Sequence, residues 1–322
     1  MIIRKLYFLF FALAIFLNGF CQDASSSKVD SLENLIKLKS GAEKFDLIVA
    51  LMRAQLNKNP KASLELSKQA EKIALSLRDS LRIVKAKYAS GFIYSRLDSV
   101  RQAIQVLEYA LPIAKRNNYN EELSKILNTI AISYSFSGNP DRALAFHFQS
   151  IDLNERMGNK EDIAITYNNI GLVYFKLRDY DNALNFYQKS LDVKNEISNG
   201  YDLDRLLVNM ALCYNQLKRY KEAEDFIKRG LQICKNQCDS VFLMDAELGL
   251  GVASSQQARK EEAIRHFQSS LLIARQLNDK RYQIENLWNL ALVSNSQQHP
   301  AAALVLLKEA EKIATTTNYS LS

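Results

Sequence analysis

The side chains able to do chemistry are few. Three histidines, four cysteines and one tryptophan occur in 322 residues. His147 and His266 sit among apolar residues spaced as on a helix, and His299 stands in a turn. Each reads as a structural or solvated imidazole, not as a general base or a ligand. Cys234 and Cys238 are four apart, with Cys213 upstream, and no His or acidic cluster joins them at zinc spacing. A Cys234–Cys238 bridge would need an oxidising compartment, and free thiols are the expectation. Gly249-Leu250-Gly251 looks like the start of a phosphate loop. However, Ser254 holds the place of the third glycine and no strand pattern precedes it. No catalytic residue, no metal and no cofactor is expected, and the chain is expected not to be an enzyme.

What must position the remaining polar groups is a scaffold of helices. Ten Gly and four Pro are about a third of average usage, too few for the turns of a sandwich, barrel or doubly wound fold. With 48% apolar and 24% charged residues the composition is that of a globular chain. A net charge of +7, without a Lys/Arg run, is not the footprint of a nucleic-acid binder.

Residues 1–21 read as a signal peptide. Arg4-Lys5 precede the apolar run Leu6 to Leu17, and small residues follow at Gly19 and Cys21. The run is short for a bilayer-spanning helix, which needs about 20 apolar residues. Cleavage is expected after Cys21, with Gln22 as the mature N-terminus. The rival, a lipidated Cys21, is disfavoured by the bulk of Phe20. The expected location is therefore the periplasm or cell envelope of a Gram-negative bacterium.

The rest of the chain repeats at an offset of 40. A small residue recurs at Ser63, Ala103, Ala143, Ala183, Ala223, Ala263 and Ala303, and twelve positions earlier stand Leu51, Gly91, Ala131, Gly171, Ala211, Gly251 and Ala291. Tyr94, Tyr134, Tyr174 and Tyr214 fall three residues later. Within a repeat, Ile163, Tyr167, Ile170 and Tyr174 form one helical stripe and Ala183, Leu184, Tyr187 and Leu191 a second, broken at Arg178-Asp179. Pro60, Pro140 and Pro300 open second helices, where a missing amide hydrogen costs nothing. Pro112, late in a second helix, should kink or shorten it. The small residues of the two helices, Gly171 and Ala183 for example, are expected to face each other. The expected domains are an N-terminal segment, 22–43, with a capping helix, then seven repeats at 44–83, 84–123, 124–163, 164–203, 204–243, 244–283 and 284–322.

The stretch Tyr167-Asn168-Asn169-Ile170-Gly171-Leu172-Val173-Tyr174, followed by Tyr180-Asp181-Asn182-Ala183-Leu184 and Tyr187-Gln188-Lys189-Ser190-Leu191, resembles the tetratricopeptide repeat in its 40-residue variety. The resemblance implies an all-α fold, a right-handed α-α superhelix of helix-turn-helix repeats. An exported array of this kind also resembles the sensory regions of Bacteroidetes envelope regulators, which implies signal transduction as an alternative role.

By the same resemblance the first helices line a concave groove that binds a peptide or protein segment. Register then places Asn128, Asn168, Asn169 and Asn209 there, with Tyr88. Asparagine is a poor helix former, so its recurrence on one face suggests a role for its amide, which both donates and accepts. Asparagines that bond one another between repeats are the plainer explanation. Lys85, Lys125, Lys176 and Arg205 are expected to make the N-terminal and middle groove basic, suited to an acidic segment or a free carboxylate. Asp245 and Glu285 would make its end acidic. At the C-terminus, Ala301-Ala302-Ala303-Leu304-Val305-Leu306-Leu307 is apolar nearly all round. A terminal helix needs a wetted face, so a lost C-terminal extension, a second copy (self-association) or a partner such as a membrane protein is expected to meet it.

Overall fold

The computed structural model describes residues 29–56, 58–97, 99–197, 202–235 and 238–316. The expected signal peptide and cleavage site lie outside them. The described residues are helical throughout, with no strand among them. Contacts divide the chain into two compact units, Met1–Met157 and Gly158–Ser322.

In the first unit a short helix α1, over 29–38, precedes three antiparallel hairpins: α2 (Gly41–Gln55) with α3 (Pro60–Ser76), α4 (Ser80–Arg96) with α5 (Val100–Arg116), and α6 (Asn120–Phe136) with α7 (Pro140–Met157). The second unit holds four: α8 (Lys160–Lys176) with α9 (Tyr180–Glu196), α10 (Leu203–Gln216) with α11 (Tyr220–Cys234), α12 (Ser240–Gln256) with α13 (Lys260–Gln276), and α14 (Lys280–Ser296) with α15 (Pro300–Thr316). The second helices start at 60, 100, 140, 180, 220, 260 and 300, one step of the period apart. Most first helices start at a multiple of 40, so the expected boundaries at 84, 124, 164, 244 and 284 fall one turn inside a helix.

The turns explain how so few glycines suffice. Two residues before nine of the helix starts, one residue adopts a left-handed conformation, with φ between 51° and 74°. Only Gly138 and Gly158 are glycine there; Arg78, Asn118, Arg178, Lys218, Ala258, Asn278 and Gln298 take the strain. The next amide reaches back five residues, as Asp179 N–H does to the Tyr174 carbonyl at 3.0 Å, which closes a Schellman motif. Asp79, Asp179 and Asp279 then cap the following helices by accepting from backbone amides of the first turn.

Packing follows the period. Ala103, Ala143, Ala183, Ala223 and Ala263 are wholly buried. The first-helix glycines do not face them, as the sequence suggested; they face the large residue one turn further along the second helix. A Cβ on Gly171 would lie 2.5 Å from the Tyr187 ring, one on Gly91 2.4 Å from Leu107, and one on Gly251 2.6 Å from Phe267. Each glycine is a seat for a buried side chain, which fixes the hairpin's interhelical distance. Pro112 neither ends nor shortens α5, which runs to Arg116 with the same 17 residues as its neighbours. Burial of Leu107, Ala110 and Ala114 on the same face holds that helix together. Helix α1 packs its Ile36 against the cluster of Phe45, Ile48 and Ala70 in the first hairpin.

Candidate functional site

In the second unit α8, α10 and α12 border an open recess of about 330 Å³. Its polar lining is Asn168, Asn169, Lys194, Asp202, Arg205, Asn209 and Asp245, set among Ile165, Leu172, Leu206, Val208 and Phe242. One helical turn separates Arg205 from Asn209, so α10 presents both to the same side. Asn209 Nδ2 donates to Asn168 Oδ1 at 3.1 Å, the bond between repeats that sequence left as the plainer reading. That bond uses one donor and one acceptor of the pair. Farther along, Asn286 is buried and donates to Ser270 Oγ at 2.9 Å, and Asn289 folds back on the Glu285 carbonyl at 3.0 Å. Asn286 thus ties α14 to α13, and Asn289 serves its own helix.

Electrostatics depart from the sequence expectation. Arg205 Nη2 donates to Asp239 at 2.7 Å, and its Nε lies 3.9 Å from Asp202. Burial raises the pKa of Asp245, whose carboxylate accepts a hydrogen bond from the Tyr282 hydroxyl. It also raises that of Asp202 and lowers that of Lys194, which Asp202 partly offsets. The Asp239 carboxylate is held below its usual range even though burial opposes the charge, because the Phe242 amide, Arg205 and the Val241 amide stabilise it together. The recess is therefore charge-balanced rather than basic.

A second recess, of about 680 Å³, lies in the first unit. Phe45, Val49, Met52, Tyr88, Phe92 and Ile93 give it an apolar floor, and Arg53, Lys85 and Lys125 stand on its rim with Asp46, Glu121 and Glu122. Lys85 lies 3.7 Å from Glu122. Here too the predicted basic strip is countered, because Glu121 and Glu122 occupy the first turn of α6, where the helix dipole favours acids.

The predicted residues thus divide between two places. Lys85, Tyr88 and Lys125 line the first recess, and Asn168, Asn169, Arg205 and Asn209 the second. Asn128, half-buried on α6, and Lys176, exposed at the end of α8, line neither. Sequence reasoning missed Lys194, Asp202 and Asp239. A signal for Lys194 existed: it stands in register with Ala74, Ala114, Asn154, Ala274 and Ala314 and is as buried as they are, 5% exposed.

The other chemical candidates resolve as follows. His147 is 1% exposed and His266 Nδ1 lies 2.7 Å from Glu247. Gly249 and Gly251 are inside α12 with Ile227 and Phe267 against them, so no loop exists there to cradle a phosphate. Cys234 and Cys238 are bridged, which corrects the expectation of free thiols. The chain leaves α11 at Lys235 with φ 49°, which brings their Cα atoms to 4.9 Å, within disulfide range. Among the described residues Cys213 is a buried free cysteine, its thiol pushed up to about 12 by burial. No helix of the described residues is long and apolar enough to cross a membrane.

Residues 162–236 match the family model described as tetratricopeptide repeat. Solved structures share the fold over most of the chain. A Rap protein complexed with Competence and Sporulation Factor superposes with a TM-score of 0.70 at 16% identity, over 90% of this chain and 80% of that one. The apo quorum sensor NprR from B. thuringiensis gives 0.68 at 20% identity, over 90% and 82%. The Cut9–Hcn1 hetero-tetramer of APC/C gives 0.66 at 15%, over 91% and 53%. No curated protein matches the chain. The segment 162–236 is therefore similar to tetratricopeptide-repeat sequence, and the chain shares its all-α helical-hairpin fold with these solved repeat proteins.

Proposed function

We propose that this is an exported, non-catalytic interaction protein that holds an extended peptide segment against the first-helix face of its second unit. The observation that carries the reading is the grouping of Asn168, Asn169 and Asn209 in one open recess. Amide side chains offer a donor and an acceptor together, the pattern of a peptide backbone, so they hold a peptide with little regard to its sequence. Arg205 and Asp245 at the same wall would read one charged group of each sign. Because the recess is balanced, a preference for acidic ligands has lost its support. The solved Rap protein complex and the NprR quorum sensor support a peptide partner, and Cut9–Hcn1 supports a protein one. The quorum-sensor likeness also favours a second reading, a periplasmic sensing region that passes peptide binding to a membrane partner.

The test is an Asn169→Ala/Asn209→Ala double change, assayed against a displayed random-peptide library. The wild type should enrich a peptide set that the double variant binds at least about tenfold more weakly, from two lost hydrogen bonds. Equal enrichment by both would remove the assignment. Fractionation of the producing cells, with mass analysis for a chain beginning at Gln22, tests the export.

A further inference from the structure

The hairpin α10–α11 ends unlike the others. Helix α11 stops at Cys234, whereas α3, α5, α9, α13 and α15 run two positions further in the repeat, to 76, 116, 196, 276 and 316. At four other second-helix ends the left-handed residue lies two places before the next helix, at Arg78, Asn118, Gly158 and Asn278. At this one it is Lys235, five places before α12. Cysteines hold both positions that the departure involves. Cys234 is half-buried where Ala74, Ala114, Asn154, Lys194, Ala274 and Ala314 are buried, and Cys238 occupies the place of the left-handed residue. Their disulfide therefore stands in for the turn that the other repeats make.

The departure reaches the recess through Asp239, the residue after Cys238. One oxygen of its carboxylate caps α12 by accepting from the Val241 and Phe242 amides, both at 2.9 Å, and the other accepts from Arg205 at 2.7 Å. Arg205 and Phe242 both line the recess. Asp239 has ψ 156°, against 103° and 101° at its counterparts Asp79 and Asp279. The bridged turn thus delivers the cap in a backbone conformation of its own, and in that conformation it meets Arg205.

We propose that the Cys234–Cys238 bridge is a redox switch on the charge of the recess. Closed, it holds Asp239 on Arg205 and the recess is balanced. Opened by a dithiol, it lets α11 run on towards the length of its counterparts, and Asp239 takes the conformation of Asp79 and Asp279. Arg205 then keeps only Asp202, 3.9 Å away, and the recess turns positive. In the opening step a thiolate of the dithiol attacks one bridge sulfur, forming a mixed disulfide and freeing the other cysteine, which takes a proton. The second thiol displaces the remaining cysteine, so two electrons and two protons pass to the pair and the dithiol leaves as a disulfide. Both cysteines are half-exposed, and their sequence separation is 4, so the bridge restrains the unfolded chain less than a long-range one does. The turn it imposes holds a lysine at φ 49°. Opening it changes that turn and leaves the hairpins in place. Only the consequence for a ligand rests on the peptide reading: the open form should favour peptides carrying Asp or Glu.

Arginine modification by phenylglyoxal, mapped by mass spectrometry on the full chain before and after treatment with dithiothreitol and its removal, tests the switch. Arg205 should react at least about threefold faster once the bridge is open, because it has lost a charge-assisted hydrogen bond. Arg96, exposed on α4, should keep its rate and serves as the internal standard. A Cys234→Ser/Cys238→Ser variant should show the fast Arg205 rate without reductant. Should that variant lose its helical circular dichroism, Asp239→Asn keeps an oxygen for the cap and should make Arg205 fast in both states. Equal Arg205 rates in the closed and opened wild type overturn the proposal, as does a redox effect that Asp239→Asn leaves intact. Against the displayed peptide library, the opened form should enrich peptides richer in Asp and Glu, and identical enrichment by both forms overturns the effect on the ligand. If neither form enriches a peptide while the Arg205 rate still changes, the peptide reading falls and the switch stands.

Discussion

Replacing His147 with Leu isolates one buried ionisable group whose effect on stability can be worked out in advance. His147 lies on α7 at the register of Leu107, Tyr187, Ile227 and Phe267, 1% exposed, and neither ring nitrogen reaches a hydrogen-bond partner among the described residues. Burial pushes its pKa down to about 3, against about 6.5 in an unfolded chain. The folded value is the lower one, so as pH falls the unfolded state takes up the proton first. Stability is then lost progressively from about pH 6.5 down towards pH 3. At pH 5 the loss from this one group is about 2 kcal/mol, the free energy of protonating a pKa 6.5 imidazole in the unfolded chain alone. At neutral pH the imidazole is uncharged, but two unmade hydrogen bonds still cost about 1–3 kcal/mol. His147→Leu, the residue already present at position 107, should therefore raise stability at pH 7 and flatten the curve between pH 7 and 5 by about 2 kcal/mol. Urea unfolding followed by circular dichroism at the two pH values reads both effects. Parallel stability–pH curves for variant and wild type would show that His147 is not buried neutral, and the reasoning would fail.

Two further substitutions probe the hairpin itself. Gly171→Ala should destabilise by about 1–2 kcal/mol despite the better helix propensity of Ala, because the new methyl meets the wholly buried Tyr187 ring; a rise in denaturation midpoint would refute that seat. Ala258→Gly should stabilise by about 1 kcal/mol, since Ala258 is exposed at φ 61°, where a Cβ is strained. An unchanged or lower urea midpoint would show that the turn is relaxed.

Much of the scaffold was legible because a repeating backbone forces a repeating sequence. The small residues at 103, 143, 183, 223 and 263 had to be small, and every one is wholly buried. What they touch was not legible, because a glycine's partner depends on interhelical distance, and here it is the large residue rather than the small one. The turns were hidden for another reason: seven of the nine left-handed positions carry a side chain, so glycine spacing does not mark them. Pro112 misled because propensity is a local preference, and the burial of Leu107, Ala110 and Ala114 outweighs one missing amide hydrogen. The bridge depended on the chain leaving α11 at Lys235, a backbone event that two cysteines spaced by four do not announce.

The recess was half legible, and the acids that were missed have a single cause. Its asparagines and Arg205 lie on helix faces, where register locates them. Its neutralising acids come from elsewhere: Asp239 caps α12, and Asp202 precedes α10. Caps answer to the backbone amides of their own helix, so they escape a scan of equivalent helical positions, yet Asp239 lies beside Arg205 on the first-helix face. A register comparison therefore overstates net charge along such a face unless turn residues are counted with it. The same comparison is most informative where it fails. Lys194 stands where most repeats bury Ala, His147 where Leu107, Tyr187, Ile227 and Phe267 are large and Ser67 is small, and Ala301 where the other second helices carry charge. Since the backbone at those positions is common to all the hairpins, the repeat by itself does not require these departures.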